Sequence, residues 1–183
     1  LADRLIQRCG ETGKPVIVST GMSSLQDAQR ALFWATRAGA PGVALLHCVS
    51  AYPVPKGSEN LRAIATLGMA CHAVVGLSDH GADGFAVPLA VAMGAAIYER
   101  HLVLHAGDGS IDADVSSTPG ELAALVLDFV EQARILDRDR CLIREGLEQR
   151  NVLLGKRSDH VAADEDGADP PTFPHHRGED DGA

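Results

Sequence analysis

A chain of 183 residues, 45% hydrophobic and only 4% aromatic, has room for one domain with a core of Ala, Val, Leu and Ile. Its net charge of −9 is uneven: residues 159–183 hold eight acids against one base, Arg177, so the other 158 residues are nearly neutral. No basic patch with interleaved aromatics argues for nucleic acid as a partner, and no run of about 18 apolar residues argues for a membrane span.

The four cysteines, Cys9, Cys48, Cys71 and Cys141, have no CxxC spacing and read as reduced structural thiols of a cytoplasmic protein. The N-terminus has no signal-peptide pattern. It reads like the middle of a helix, so the chain is expected to start inside a larger protein.

Residues 1–12 form a short amphipathic helix by pattern, with Leu1, Leu5 and Ile6 on one face. Residues 15–20 (PVIVST) are a β-branched run expected to be a strand buried on both faces. Ser23 with Gln26 three positions on suggests a capping box, followed by Leu25, Ala28, Leu32 and Ala35 at helical spacing and a stop at Gly39. Residues 42–49 are the second strand. The run Tyr52-Pro53-Val54-Pro55 then imposes a rigid loop.

A short helix over 60–67 leads to a third strand over 73–77. A small-residue helix over 85–93 leads to a fourth over 95–103. Thr118, Pro119 and Glu121 open the last clear helix, whose buried stripe is Leu122, Leu125, Phe129 and Ala133. Four strands alternating with helices predict a parallel α/β sheet with right-handed crossovers. The Asp-, Gly- and Pro-rich tail, residues 159–183, is expected to be disordered. His175 and His176 within it read as solvated.

Strand side chains alternate between faces. Glu99 and His101 therefore share one face, Tyr98 and Arg100 the other, and Ser78 shares a face with His80. Polar residues gather at strand C-termini: Ser19, Ser50, Tyr52, Ser78, His80, Glu99 and His101. Parallel α/β sheets place their sites there. His80 and His101, on successive strands, would converge on one point as a metal site or a paired acid/base site. His47, His72 and His105 read as structural or surface residues. By pattern alone Glu99 could equally be a salt-bridge partner, and Asp112 a turn-former.

Four segments in order resemble one family. They are GKPVIVSTGM (13–22), LLHCVSAYPVP (45–55), Gly76-Leu77-Ser78-Asp79-His80, and Glu99-Arg100-His101, with Asp112, Ser116 and Pro119 continuing the spacing. Together they are similar to the sialic acid (N-acetylneuraminate) synthase family over about residues 1–135.

The resemblance implies the second half, four strands, of a TIM (β/α)8 barrel. It implies condensation of phosphoenolpyruvate with N-acetylmannosamine or a related N-acetylated aldose, assisted by a divalent cation, usually Mn2+, with Mg2+ or Co2+ as substitutes. The cation would polarise the open-chain aldehyde, the enol carbon of phosphoenolpyruvate would attack it, water would add, and phosphate would leave by C–O cleavage.

By position, His80 and His101 correspond to the metal ligands at the catalytic centre, and Ser19 and Ser78 lie around phosphoenolpyruvate. By the same correspondence Tyr52, Glu99 and Asp112 would hold the sugar, with Glu99 among the catalytic residues. Ser50 falls where the family often has a substrate-binding Asn. Gly81 replaces a usual Thr and Arg100 a frequent Lys.

The expected organisation is a partial synthase barrel over 1–158 followed by the acidic tail over 159–183. Such a fragment is expected to have little or no synthase activity alone, and the resemblance leaves a homodimer open. Two other functions fit the residues: a two-histidine metal-dependent hydrolase, and a non-catalytic half-barrel that self-associates through its open edges.

Overall fold

The structure, a computed structural model, describes residues 2–107 and 109–153. Residues 1–144 form one compact unit; of a second unit, residues 145–183, only 145–153 are described, and they are helical. The expected tail, the boundary at 158, and His175 and His176 lie outside the described residues.

The described residues form five strands and five α-helices, alternating as far as β4; a short 3-10 turn, Ala113–Val115, in place of an α-helix links β4 to β5. The strands are β1 (Val16–Ser19), β2 (Val43–Cys48), β3 (Val74–Asp79), β4 (Ile97–Leu102) and β5 (Ser116–Ser117). The helices are α1 (Asp3–Gly10), α2 (Leu25–Arg37), α3 (Arg62–Cys71), α4 (Ala86–Ala92) and α5 (Pro119–Leu153). The strands pair in chain order, every pair parallel. The result is a curled α/β half-barrel.

The count of four strands is corrected to five. β5 is only two serines long, too short and polar for an apolar run to reveal. It forms because the Val103 amide donates to the Ser117 carbonyl at 3.0 Å and the Arg100 side chain donates to the Ser117 hydroxyl. The capping box is also shifted by one residue. Ser24, not Ser23, caps α2, its hydroxyl accepting from the Asp27 amide while the Asp27 carboxylate accepts from the Ser24 amide at 3.1 Å. A carboxylate accepts only, and it complements the positive end of the helix dipole better than the Gln26 amide would. The Ser24 hydroxyl, which also donates to Asp27 Oδ2 at 2.7 Å, and then the Ser24 amide hold the Asp27 carboxyl below its ordinary pKa. At α5 the expected cap is present: Glu121 accepts from the Thr118 amide at 2.8 Å.

The core lies between the outer face of the sheet and the helices. Leu45, Val75 and Leu77 pack there against Ala28, Ile64 and Ala90, with Tyr98 and Phe129 at its edge. β1 is not buried on both faces as expected: Val18 packs on the core, but Ile17 is 54% exposed on the opposite face. The thiols are all free, and Cys141 is exposed rather than structural.

The inner face is stacked in layers by the strand register. Ser19, Leu46, Gly76 and Ile97 are successive partners and form one row. Cys48, Ser78 and Glu99 form the next. His101 pairs with Ser116 one row higher, at the C-terminal mouth. Gly76 is required in the first of these rows, because a Cβ there would run into the Ile97 carbonyl oxygen and meet Leu46 Cδ2 at 2.6 Å and Ile97 Cβ at 2.8 Å.

Candidate metal and substrate site

Asp79 is the partner of Arg100 in the β3–β4 ladder. Carrying that register one residue further sets His80 level with His101. Both then turn inward at the mouth, and their ring centroids stand 5.3 Å apart. β3 runs to Asp79, two residues beyond its expected end, so Ser78 belongs to the strand and His80 follows it directly.

His80 is 4% exposed and fixed from several sides. Its Nδ1 lies 3.0 Å from the Val49 carbonyl. A carbonyl only accepts, so Nδ1 carries a proton, and in the neutral ring the lone pair is on Nε2. The His80 carbonyl accepts from the Val54 amide at 3.0 Å, tying it to the loop that carries Tyr52. The Tyr52 ring stacks on His80 at 4.1 Å and meets His101 edge-on at 5.8 Å. Its hydroxyl is shifted above the ordinary tyrosine pKa, chiefly by desolvation and then by Cys48, Asp112 and Glu99.

Asp112 Oδ2 lies 3.6 Å from His101 Nδ1, too long for a hydrogen bond but close enough to attract the ring when protonated. The Ser116 hydroxyl donates to the Asp112 carbonyl at 2.7 Å and holds that turn against β5. Glu99 faces inward one row below His101 and is exposed. Ser78 is 5% exposed in the same row. Ser19, exposed, lies a row lower and two strands away from Ser78. The structure thus brings His80, His101, Tyr52 and Asp112 together, with Glu99 and Ser78 beneath them and Ser19 at the far side of the sheet.

Ser50 borders a groove of about 600 Å3 that also takes in Thr20, His47, Cys48 and Arg62. None of Tyr52, His80 and His101 lines it. His47, read as structural, is buried and donates from Nε2 to the Glu59 carbonyl at 2.7 Å. His72 and His105 are exposed.

The donor set suits a divalent cation. Two imidazoles bound to one ion at about 2.1 Å per nitrogen hold their centroids on the order of 5 Å apart, as this pair does. Among the described residues, no three His, Cys, Asp or Glu side chains could hold an ion by themselves. Water and substrate oxygens would complete the shell.

A family model described as the NeuB family matches residues 1–139. The chain belongs to the NeuB family. NeuB-family relatives include an N,N'-diacetyllegionaminic acid synthase of Campylobacter jejuni, 32% identical over 156 residues, covering 84% of this chain and 46% of the relative. The N-acetylneuraminate-9-phosphate synthase of Mus musculus is 33% identical over 123 residues, covering 66% of this chain and 34% of the relative. The crystal structure of an N-acetylneuraminic acid (sialic acid) synthetase from Leptospira borgpetersenii superposes with a TM-score of 0.70 at 34% identity, covering 84% of this chain and 55% of that one. The chain therefore spans about a third to a half of the curated NeuB-family relatives it matches. No described helix is long and apolar enough to cross a membrane.

One group escaped the sequence reading. On the outward face, behind the histidines, Asp79 Oδ2 accepts from Arg100 Nη1 and from the Tyr98 hydroxyl, each at 2.9 Å. Asp79 Oδ1 accepts from the Gly81 amide at 2.8 Å, and Arg100 Nε donates to the Ser117 hydroxyl at 2.6 Å. The signal was present: a strand arginine turned toward the helix layer must have a buried anion.

Proposed function

We propose that this chain forms the metal and acceptor-sugar side of a nonulosonate synthase site, which condenses phosphoenolpyruvate with N-acetylmannosamine or a related N-acetylated aldose. The observation that carries this reading is the His80–His101 pair at 5.3 Å under the stacked Tyr52 ring.

His80 and His101 would hold a divalent cation, most readily Mn2+ in this family, with Mg2+ or Co2+ as substitutes. A bound cation supplies Lewis acidity toward a carbonyl oxygen. The protein's own part is placement. The Val49 carbonyl fixes the His80 tautomer that leaves Nε2 free. Tyr52 shields one side of the pair and presents its hydroxyl to the mouth. Glu99 and Asp112 offer carboxylates to sugar hydroxyls, and Glu99 is placed to move a proton at the reacting centre. Ser78 and Ser19 offer hydroxyls to the phosphoenolpyruvate side, and Ser50 would meet substrate from the groove that none of Tyr52, His80 and His101 lines. A cytoplasmic location and a homodimer belong to this reading.

The test is a chimaera in which residues 1–135 replace the matching segment of the Campylobacter relative. Phosphate release that needs phosphoenolpyruvate, an N-acetylated aldose and Mn2+, and that is lost in His80→Ala and His101→Ala, supports the proposal. Phosphate release untouched by either substitution refutes it. The 183-residue chain alone is expected to release little or no phosphate.

A further inference from the structure

We propose that Asp79 and Arg100 are positioning residues that set the spacing of the His80–His101 pair and hold His80 against the Val49 carbonyl that selects its tautomer. The inference rests on the reading of that pair as a cation site. Asp79 and Arg100 are register partners, and each immediately precedes one of the two histidines. Period-two alternation turns the charged pair outward and the imidazole pair inward. Two strands locked at Asp79–Arg100 are therefore locked, one residue on, at His80–His101.

The lock is unusually complete. The side chains of Arg100 and Asp79 are 3% and 5% exposed and meet at 2.9 Å. Asp79 also accepts from the Gly81 amide, so the peptide unit that follows His80 is held by the same carboxylate. Arg100 reaches past its own strand to Ser117, next to the Ser116 that anchors the Asp112 turn against His101. One buried ion pair thus ties together β3, β4 and β5 directly behind the two rings. A salt bridge needed only for stability has no reason to sit in register with two site residues. Groups that orient metal ligands indirectly typically change metal affinity by about 10–100-fold when removed.

The test compares the 183-residue chain with Asp79→Asn/Arg100→Met, which removes both buried charges at similar volume, and with Arg100→Lys, which keeps the charge. Two readouts are taken on each: Mn2+ affinity by calorimetry, and the His80 tautomer by long-range nitrogen–proton NMR. The double variant is expected to bind Mn2+ about 10–100-fold more weakly and to lose the pure Nδ1–H form of His80. Arg100→Lys is expected to recover most of both. If the double variant does not fold, Asp79→Glu, which keeps both charges paired but displaces the carboxylate relative to the Gly81 amide, carries the same expectation.

Mn2+ affinity within twofold of the parent, with the His80 tautomer intact, overturns the proposal. If the parent chain binds no Mn2+, the cation reading fails by itself. The tautomer measurement then decides the positioning role: an unchanged Nδ1–H form overturns it, and a mixed form supports it.

Discussion

The Asp79 carboxylate and the Arg100 guanidinium meet at 2.9 Å on the helix side of the sheet, directly across one rung of the β3–β4 ladder. Removing one partner of such a pair leaves the other as a buried, unpaired charge. Arg100→Met alone is therefore expected to cost about 3–5 kcal/mol, whereas Asp79→Asn/Arg100→Met should cost far less. Urea unfolding of the three proteins checks this; equal losses in the single and double variants would contradict the buried-pair assignment.

Tyr98 gives the same network a pH signature. Burial, and then the neighbouring Asp79 carboxylate, raise its pKa well above the ordinary value of 10.0, with Arg100 opposing. A phenol whose folded pKa lies above its unfolded one binds more protons in the folded state once pH passes the unfolded value. Its stabilisation is thus complete below about pH 10 and is lost as pH rises from there toward the folded value. The urea midpoint should fall more steeply above pH 10 in the parent than in Tyr98→Phe. Parallel pH profiles would exclude the buried, carboxylate-bound phenol.

Gly76 is the packing counterpart. It is the one glycine in the row Ser19–Leu46–Gly76–Ile97, wedged between Leu46 and Ile97. Gly76→Ala should destabilise by about 1–3 kcal/mol through overpacking, and should also disturb the rows above it. A denaturation midpoint equal to the parent's would show that the neighbours can yield.

Much of this was legible in the sequence because period and position carry it. The apolar runs around Val16, Leu45, Val75 and Ile97 mark four strands, and polar residues at their C-terminal ends mark the mouth. The convergence of His80 and His101 follows from strand order and alternation. Three things were less visible. Ser116 and Ser117 make a strand through backbone pairing and the Arg100 bond, without an apolar signal. Ser24 outcompetes Ser23 as a cap because Asp27 is ionised and Gln26 is not. Ile17 is exposed because it turns to the face opposite the helix layer on which Val18 packs, and a continuous apolar run does not tell the two faces apart.

Cation preference follows from the donor type. Two neutral imidazoles with remaining oxygen ligands should bind Co2+ more tightly than Mn2+, and Mg2+, which dehydrates reluctantly and favours oxygen, most weakly of the three. Competition titrations check the order. Mg2+ binding tighter than Co2+ would point to a carboxylate site elsewhere in the chain.

The most direct measurement is a calorimetric titration of Co2+ into the 183-residue chain and into His80→Ala and His101→Ala, each shown by circular dichroism to be folded. The account predicts one bound ion per chain in the parent and a loss of that binding in both variants. Binding of equal stoichiometry and affinity in all three would contradict it.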